Sequence, residues 1–72
     1  MIKTQVNLYK DGLLRAVRTI NDTTAFVERI QSELFALGHM IDADQIINDI
    51  VEECAPVIEH PTNGQRFEFT IL

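Results

Sequence analysis

Few side chains in this 72-residue sequence could carry covalent, acid–base or metal chemistry: His39 and His60, the single cysteine Cys54 and the single serine Ser32. A histidine near neutral pH can serve as a general base or a metal ligand. Neither histidine has a companion at ligand spacing, since the sequence contains no His-x3-His and no Cys-x2-Cys, so both read as structural. Cys54 continues the apolar positions Ile47, Ile50 and Val51 at helical spacing. It is expected to pack as a small apolar side chain rather than to act as a nucleophile. Ser32 lies inside a helical stretch and has no triad around it. Gly12, Gly38 and Gly64 are isolated turn glycines that build no phosphate-cradling loop. Carboxylates are abundant, but paired catalytic acids need a cleft, and a chain this short leaves little room for one. The expectation is a protein without enzymatic activity, cofactor or metal.

The remaining chemistry is that of binding. The formal net charge is −5 and it is unevenly placed. Residues 1–20 carry Lys3, Lys10, Arg15 and Arg18 against Asp11 alone, whereas residues 21–72 carry ten acids against Arg29 and Arg66. Phosphate contacts require clustered Lys and Arg, so general nucleic-acid binding is disfavoured, and a basic surface is the better match for the acidic part. Asp42, Asp49, Glu52 and Glu53 fall on one side of a predicted helix. They can lie there as a solvated face or dock on Arg and Lys of a partner. At the other end of the chain, Lys3, Gln5, Asn7, Tyr9, Leu13, Arg15, Val17 and Thr19 are expected on the outer face of a hairpin. Tyr9 and Arg15 are residue types that dominate protein interfaces. Tyr9 could also stack on a single-stranded base. The expected partner-binding residues are Tyr9, Arg15, Asp49, Glu52 and Glu53; Phe35, beside the first helix's stripe, adds to such an interface or seals the edge of the core.

These side chains must be positioned by local structure that the residue pattern specifies. Ile2, Thr4, Val6 and Leu8 alternate with Lys3, Gln5 and Asn7, the period of a half-buried strand. Asp11-Gly12 marks a turn. A two-residue loop there would set Leu8 opposite Arg15 and mix the faces. A three-residue Lys10-Asp11-Gly12 loop sets Leu8 opposite Leu14, Val6 opposite Ala16 and Ile2 opposite Ile20, and that register is expected. Helical spacing of Leu13, Leu14, Val17 and Ile20 is the competing pattern, outweighed by the turn and the β-branched Val17, Thr19 and Ile20. Asp22, Thr23 and Thr24 offer cap oxygens to a helix whose stripe is Phe26, Val27, Ile30, Leu34 and Leu37, with Gly38 at its end. A second helix starts at Asp42, with Gln45 placed to complete a capping box and Ile41 and Ile46 to form a hydrophobic staple. Its stripe is Ile46, Ile47, Ile50, Val51 and Cys54, and Pro56 stops it. Asn63-Gly64 predicts a second hairpin, with Ile58 opposite Phe69, His60 opposite Phe67, Pro56 opposite Ile71 and Glu59 opposite Glu68. Pro56 and Pro61 place its first strand at a sheet edge, leaving Phe67-Phe69-Ile71 central.

The order β-β-α-α-β-β over residues 1–72 fits one small α+β domain: a two-layer sandwich, an antiparallel sheet with both helices on one face. A chain of this length buries only about 60% of its unfolded surface, so some apolar groups stay outside, where they favour a partner or a second copy. One cysteine closes no internal disulfide, no apolar run approaches the roughly 18 residues of a membrane span, and Lys3, Gln5 and Asn7 interrupt any signal-peptide core. A cytoplasmic protein with no membrane partner is expected. The leading functional expectation is a protein-interaction module acting as an inhibitor or regulator by occluding a partner surface. In size and charge it is similar to small phage-encoded inhibitors of host defence, an analogy of class that no motif carries. The alternative is a homo-oligomeric nucleic-acid accessory protein that uses the basic N-terminal hairpin.

Overall fold

A computed structural model describes residues 2–72. The elements are β1 (Thr4–Lys10), β2 (Leu13–Ile20), α1 (Thr23–Ala36), α2 (Ala43–Val51), β3 (Val57–Glu59) and β4 (Gln65–Ile71). The four strands form one antiparallel sheet in the order β2-β1-β4-β3, with the two helices on one face, an α+β sandwich of two layers. The central pair β1–β4 sets Val6 opposite Phe69, Leu8 opposite Phe67 and Thr4 opposite Ile71. Side chains alternate across a strand, so these all face the helices. There Val6, Phe69 and Ile58 meet Val27, Ile30 and Leu34 of α1 and Ala43 and Ile50 of α2 in one buried core. Phe26 packs edge-on against Phe67 and Phe69, with ring centroids 6.3 and 6.0 Å apart, which fastens α1 to β4.

Polar contacts fix how each element begins and ends. The buried hydroxyl of Thr23 donates to the Ile2 carbonyl at 2.9 Å. Because its one proton is spent there, the Thr4 hydroxyl, 2.8 Å away, must be the donor in the Thr4–Thr23 bond. This pair pins the start of α1 to β1 and explains how a threonine sits on the apolar face. Asp22 caps α1 through the Ala25 N–H. At the other end His39 N–H bonds the Leu34 carbonyl and Gly38 N–H bonds Phe35, a Schellman ending with Gly38 in the C′ position. Asp42 caps α2 through the Gln45 N–H. Only half of the expected capping box forms, because the Gln45 amide turns forward to Asp49 at 2.8 Å.

Both hairpins differ in register from the sequence-based expectation. In the first, the loop is the two residues Asp11 and Gly12, both at positive φ, as a type I′ turn requires, and Lys10 faces Leu13. The mixing of faces that argued against this loop is cured one step inward. A shift in register between Leu8 and Tyr9 leaves Arg15 as the extra residue and sets Leu8 opposite Ala16 and Val6 opposite Arg18. In the second, Asn63-Gly64 does not make a two-residue turn. Residues 61–64 form a wider loop, closed by His60 N–H to the Gln65 carbonyl at 2.8 Å. The pairs become Ile58–Phe67, Val57–Glu68 and Glu59–Arg66. That register removes the Glu59–Glu68 confrontation and substitutes opposite charges. As expected, β4 is central and β3 is an edge strand, three residues long between Pro56 and Pro61.

Three stripe assignments also change. Leu37 is the C-cap of α1 and more than half exposed. In α2 the helix ends at Val51, itself more than half exposed, so Cys54 lies beyond it and is exposed rather than buried. The chain leaves α2 through a Schellman ending with Glu53 at φ +61 in the C′ position: Glu53 N–H bonds Ile50 and Cys54 N–H bonds Asp49.

Candidate interaction surfaces

The five residues expected to bind a partner fall on two separate layers. Tyr9 lies on the sheet face turned away from the helices, opposite Leu14 on β2 and Arg66 on β4. The Arg66 guanidinium stacks 4.6 Å from the centre of the Tyr9 ring and bonds Glu68 at 3.1 Å. Its buried Nε finds no hydrogen-bond partner among the described residues, as befits an atom pressed over a π-face. Leu14, not Leu13, is therefore the apolar neighbour of Tyr9, because the bulge at Arg15 changes which side chains share a face. Arg15 is exposed beside it. The Arg66 stack was not visible in the sequence, since it depends on β1 pairing with β4, more than fifty residues away.

Asp49, Glu52 and Glu53 sit at the C-terminal end of α2, in the other layer. Asp49 is half-buried and held by the Gln45 amide, while Glu52 and Glu53 are exposed. Acids at this end oppose the helix dipole, and only Asp49 has a side-chain partner within the helix.

A third surface, only partly anticipated, lies where α1 ends. Phe35 is 64% and Met40 77% exposed, and with Ile41, Gln31 and Ser32 they line an open depression of about 370 Å³. Gln31 and Ser32 also border a neighbouring depression of about 290 Å³ whose other walls include Glu28, Asp42 and Asp44. An apolar anchor point and a group of carboxylates are thus contiguous. Met40 follows a helix ending and fits no periodic stripe, which is why pattern reading passed over it.

The two histidines border one open depression of about 420 Å³ between the α1–α2 connection and β3, with Ile41, Ile46, Ile58 and Pro61 among its walls. The His60 ring is already engaged: its Nδ1 accepts from the backbone N–H of Thr62 at 3.2 Å and of Asn63 at 3.3 Å, which shapes the loop before β4. Among the described residues no three His, Cys, Asp or Glu side chains gather as metal ligands. No described helix is long and apolar enough to cross a membrane. No family model matches the chain, and neither a curated protein nor a solved structure matches it.

Proposed function

We propose that this chain is a small acidic, non-enzymatic protein-interaction module that acts in the cytoplasm as an inhibitor or regulator by covering a basic surface of its partner. The observation that carries this reading is the junction, through Gln31 and Ser32, of Phe35 and Met40 near the end of α1 with the carboxylates of Glu28 on α1 and Asp42 and Asp44 at the start of α2. An exposed aromatic and a flexible methionine supply apolar contact area, and adjacent acids supply complementarity to Arg and Lys. The partner chemistry that fits is a basic surface bearing an apolar knob. Asp49, Glu52 and Glu53 extend the acidic contact along the helix layer. Tyr9 and Arg15, on the opposite layer, form a separate contact region.

The alternative role in nucleic-acid binding draws on Lys3, Lys10, Arg15 and Arg18 of the hairpin. It is weakened because one face of the Tyr9 ring is already occupied by Arg66. Binding to single strands that falls steeply with salt would favour it over the leading role.

The test is affinity capture from the source organism's extract, followed by calorimetry with the purified partner. Phe35→Ala/Met40→Ala is expected to weaken binding by roughly thirtyfold, the scale of a single interface hot spot. Asp49→Lys/Glu52→Lys/Glu53→Lys is expected to abolish binding while thermal unfolding stays cooperative. Unchanged affinity in both sets would move the contact to the Tyr9–Arg15 face.

A further inference from the structure

We infer that the groove between α1 and the start of α2 receives an extended segment of the partner protein, in which a bulky apolar side chain and an arginine stand three residues apart. The inference rests on the reading that a partner docks on this surface, and adds what the partner places there.

Gln31, Ser32 and Phe35 follow Glu28 on α1 by three, four and seven positions, so the four share one face of the helix. At a rise of about 1.5 Å per residue, Glu28 and Phe35 stand about 10 Å apart along its axis. The α1–α2 connection runs back along this face. Met40 and Ile41 line the same depression as Phe35, Asp42 and Asp44 the same depression as Glu28, and Gln31 and Ser32 border both. The Gln31 amide donates to the Ile41 carbonyl at 3.1 Å, which fastens the two walls together. The groove is thus apolar at one end, polar in the middle and acidic at the other.

The charges choose the occupant. Among the described residues the one ion pair is Arg66 with Glu68, on the far side of the sheet, so Glu28, Asp42 and Asp44 line the groove without a cation of their own. Arg29, next to Glu28 in sequence, lies over the Phe26 ring, 5.7 Å from its centre. An incoming arginine presents a planar fork of donors suited to carboxylates. At the other end the exposed Phe35 and Met40 offer apolar contact, and a methionine reshapes readily around an inserted side chain. The span chooses the conformation. In a polyproline-II segment, residues three apart share a face and stand about 9 Å apart, close to the separation of the two ends. Such a segment has no internal hydrogen bonds, and the Ser32 hydroxyl and the Gln31 side-chain carbonyl can meet its backbone at the midpoint. A helix would need seven residues for the same span, and its backbone would already be satisfied.

The probe is the peptide acetyl-Gly-Leu-Pro-Ala-Arg-Gly-amide, whose proline favours the extended form of the leucine before it. In a nuclear magnetic resonance titration of isotope-labelled protein, it is expected to shift the amides of residues 31–35 and 40–44 and to saturate with a Kd below about 1 mM. Moving the arginine next to the leucine, or replacing it with glutamine, is expected to weaken binding by about fivefold or more. An alanine-rich helical peptide with leucine and arginine seven residues apart should also bind more weakly. In Glu28→Gln/Asp44→Asn, both exposed positions, the arginine and glutamine peptides should bind alike. Absence of saturation with the first peptide, affinity indifferent to spacing, tighter binding of the helical peptide, or an arginine preference that survives Glu28→Gln/Asp44→Asn would each overturn the inference. A native partner that loses affinity for Phe35→Ala/Met40→Ala while the peptide fails to bind leaves the docking reading standing and overturns only the extended segment. Unchanged partner affinity in that variant overturns both.

Discussion

A buried polar pair on an otherwise apolar face is the most exacting residue-scale feature. Thr4 and Thr23 are fully buried; the Thr4 hydroxyl donates to that of Thr23, which in turn donates to the Ile2 carbonyl. Removing the Thr23 hydroxyl strands that of Thr4 in the core, where an unpaired group costs about 1–3 kcal/mol. Thr23→Val is therefore expected to lose about that much stability in urea denaturation. Thr4→Val/Thr23→Val, which strands no hydroxyl and nearly preserves shape, should lose less than the sum of the single changes, and strict additivity would count against the hydrogen-bonded chain. The threonines themselves were legible as residues, Thr4 as the polar interruption of an apolar face and Thr23 as one of three candidate caps. Their union was not, because it is made between the start of β1 and the start of α1, and the strand period says nothing about what lies above it.

At the scale of elements, the way α2 ends carries strain that the sequence does not need for helix formation. Glu53 occupies the C′ position at φ +61, where a Cβ is disfavoured, and its charge sits at the negative end of the helix dipole. Glu53→Gly is expected to stabilise the protein by about 0.5–1 kcal/mol, a rise of roughly 2–8 °C in Tm for a domain of this size. Glu53→Ala, which drops the charge but keeps the Cβ, should gain much less, and equal gains would assign the effect to charge alone. Element types and order were readable because alternation in the outer segments and a three-to-four-residue repeat in the middle are properties of contiguous residues. Register was not. At Asp11-Gly12 the two-residue turn prevailed because a bulge at Arg15 corrected the faces. At Asn63-Gly64 the same kind of turn signal was overridden, as His60 gathered the loop N–H groups and Glu59 found Arg66 across the ladder. Turn dipeptides state a preference worth about a kilocalorie, and pairing along a whole strand can outweigh it. For the binding surfaces, Tyr9 was recognisable as an outward-facing aromatic and Phe35 as either an interface residue or a seal on the core, whereas Met40 and Arg66 needed the tertiary arrangement.

Across the molecule as a whole, the two hairpins are locked together at one end of the sheet. Asp11 N–H bonds the Gly64 carbonyl at 3.0 Å, and Gly64, at φ +74, approaches Asp11 so closely that a methyl group in place of its hydrogen would overlap the Asp11 carboxylate. Gly12, also at positive φ, has open space around it. Gly64→Ala should therefore cost about 2 kcal/mol or more and Gly12→Ala only about 1 kcal/mol. Adding Asp11→Ala should recover part of the Gly64→Ala loss, and a deficit that is unchanged in the double variant would place the strain elsewhere. The difference between these two glycines is a measure of how strongly turns more than fifty residues apart hold one another.

The two flanks of this sheet are unequal: one ends in an eight-residue strand, the other in three residues bracketed by prolines. A molecule sticky on both sides could be a link in an endless ribbon, each unit handing its neighbour a fresh place to add. With one side cut down to three residues between prolines, a sheet of this kind has no second long flank from which such a ribbon could keep growing.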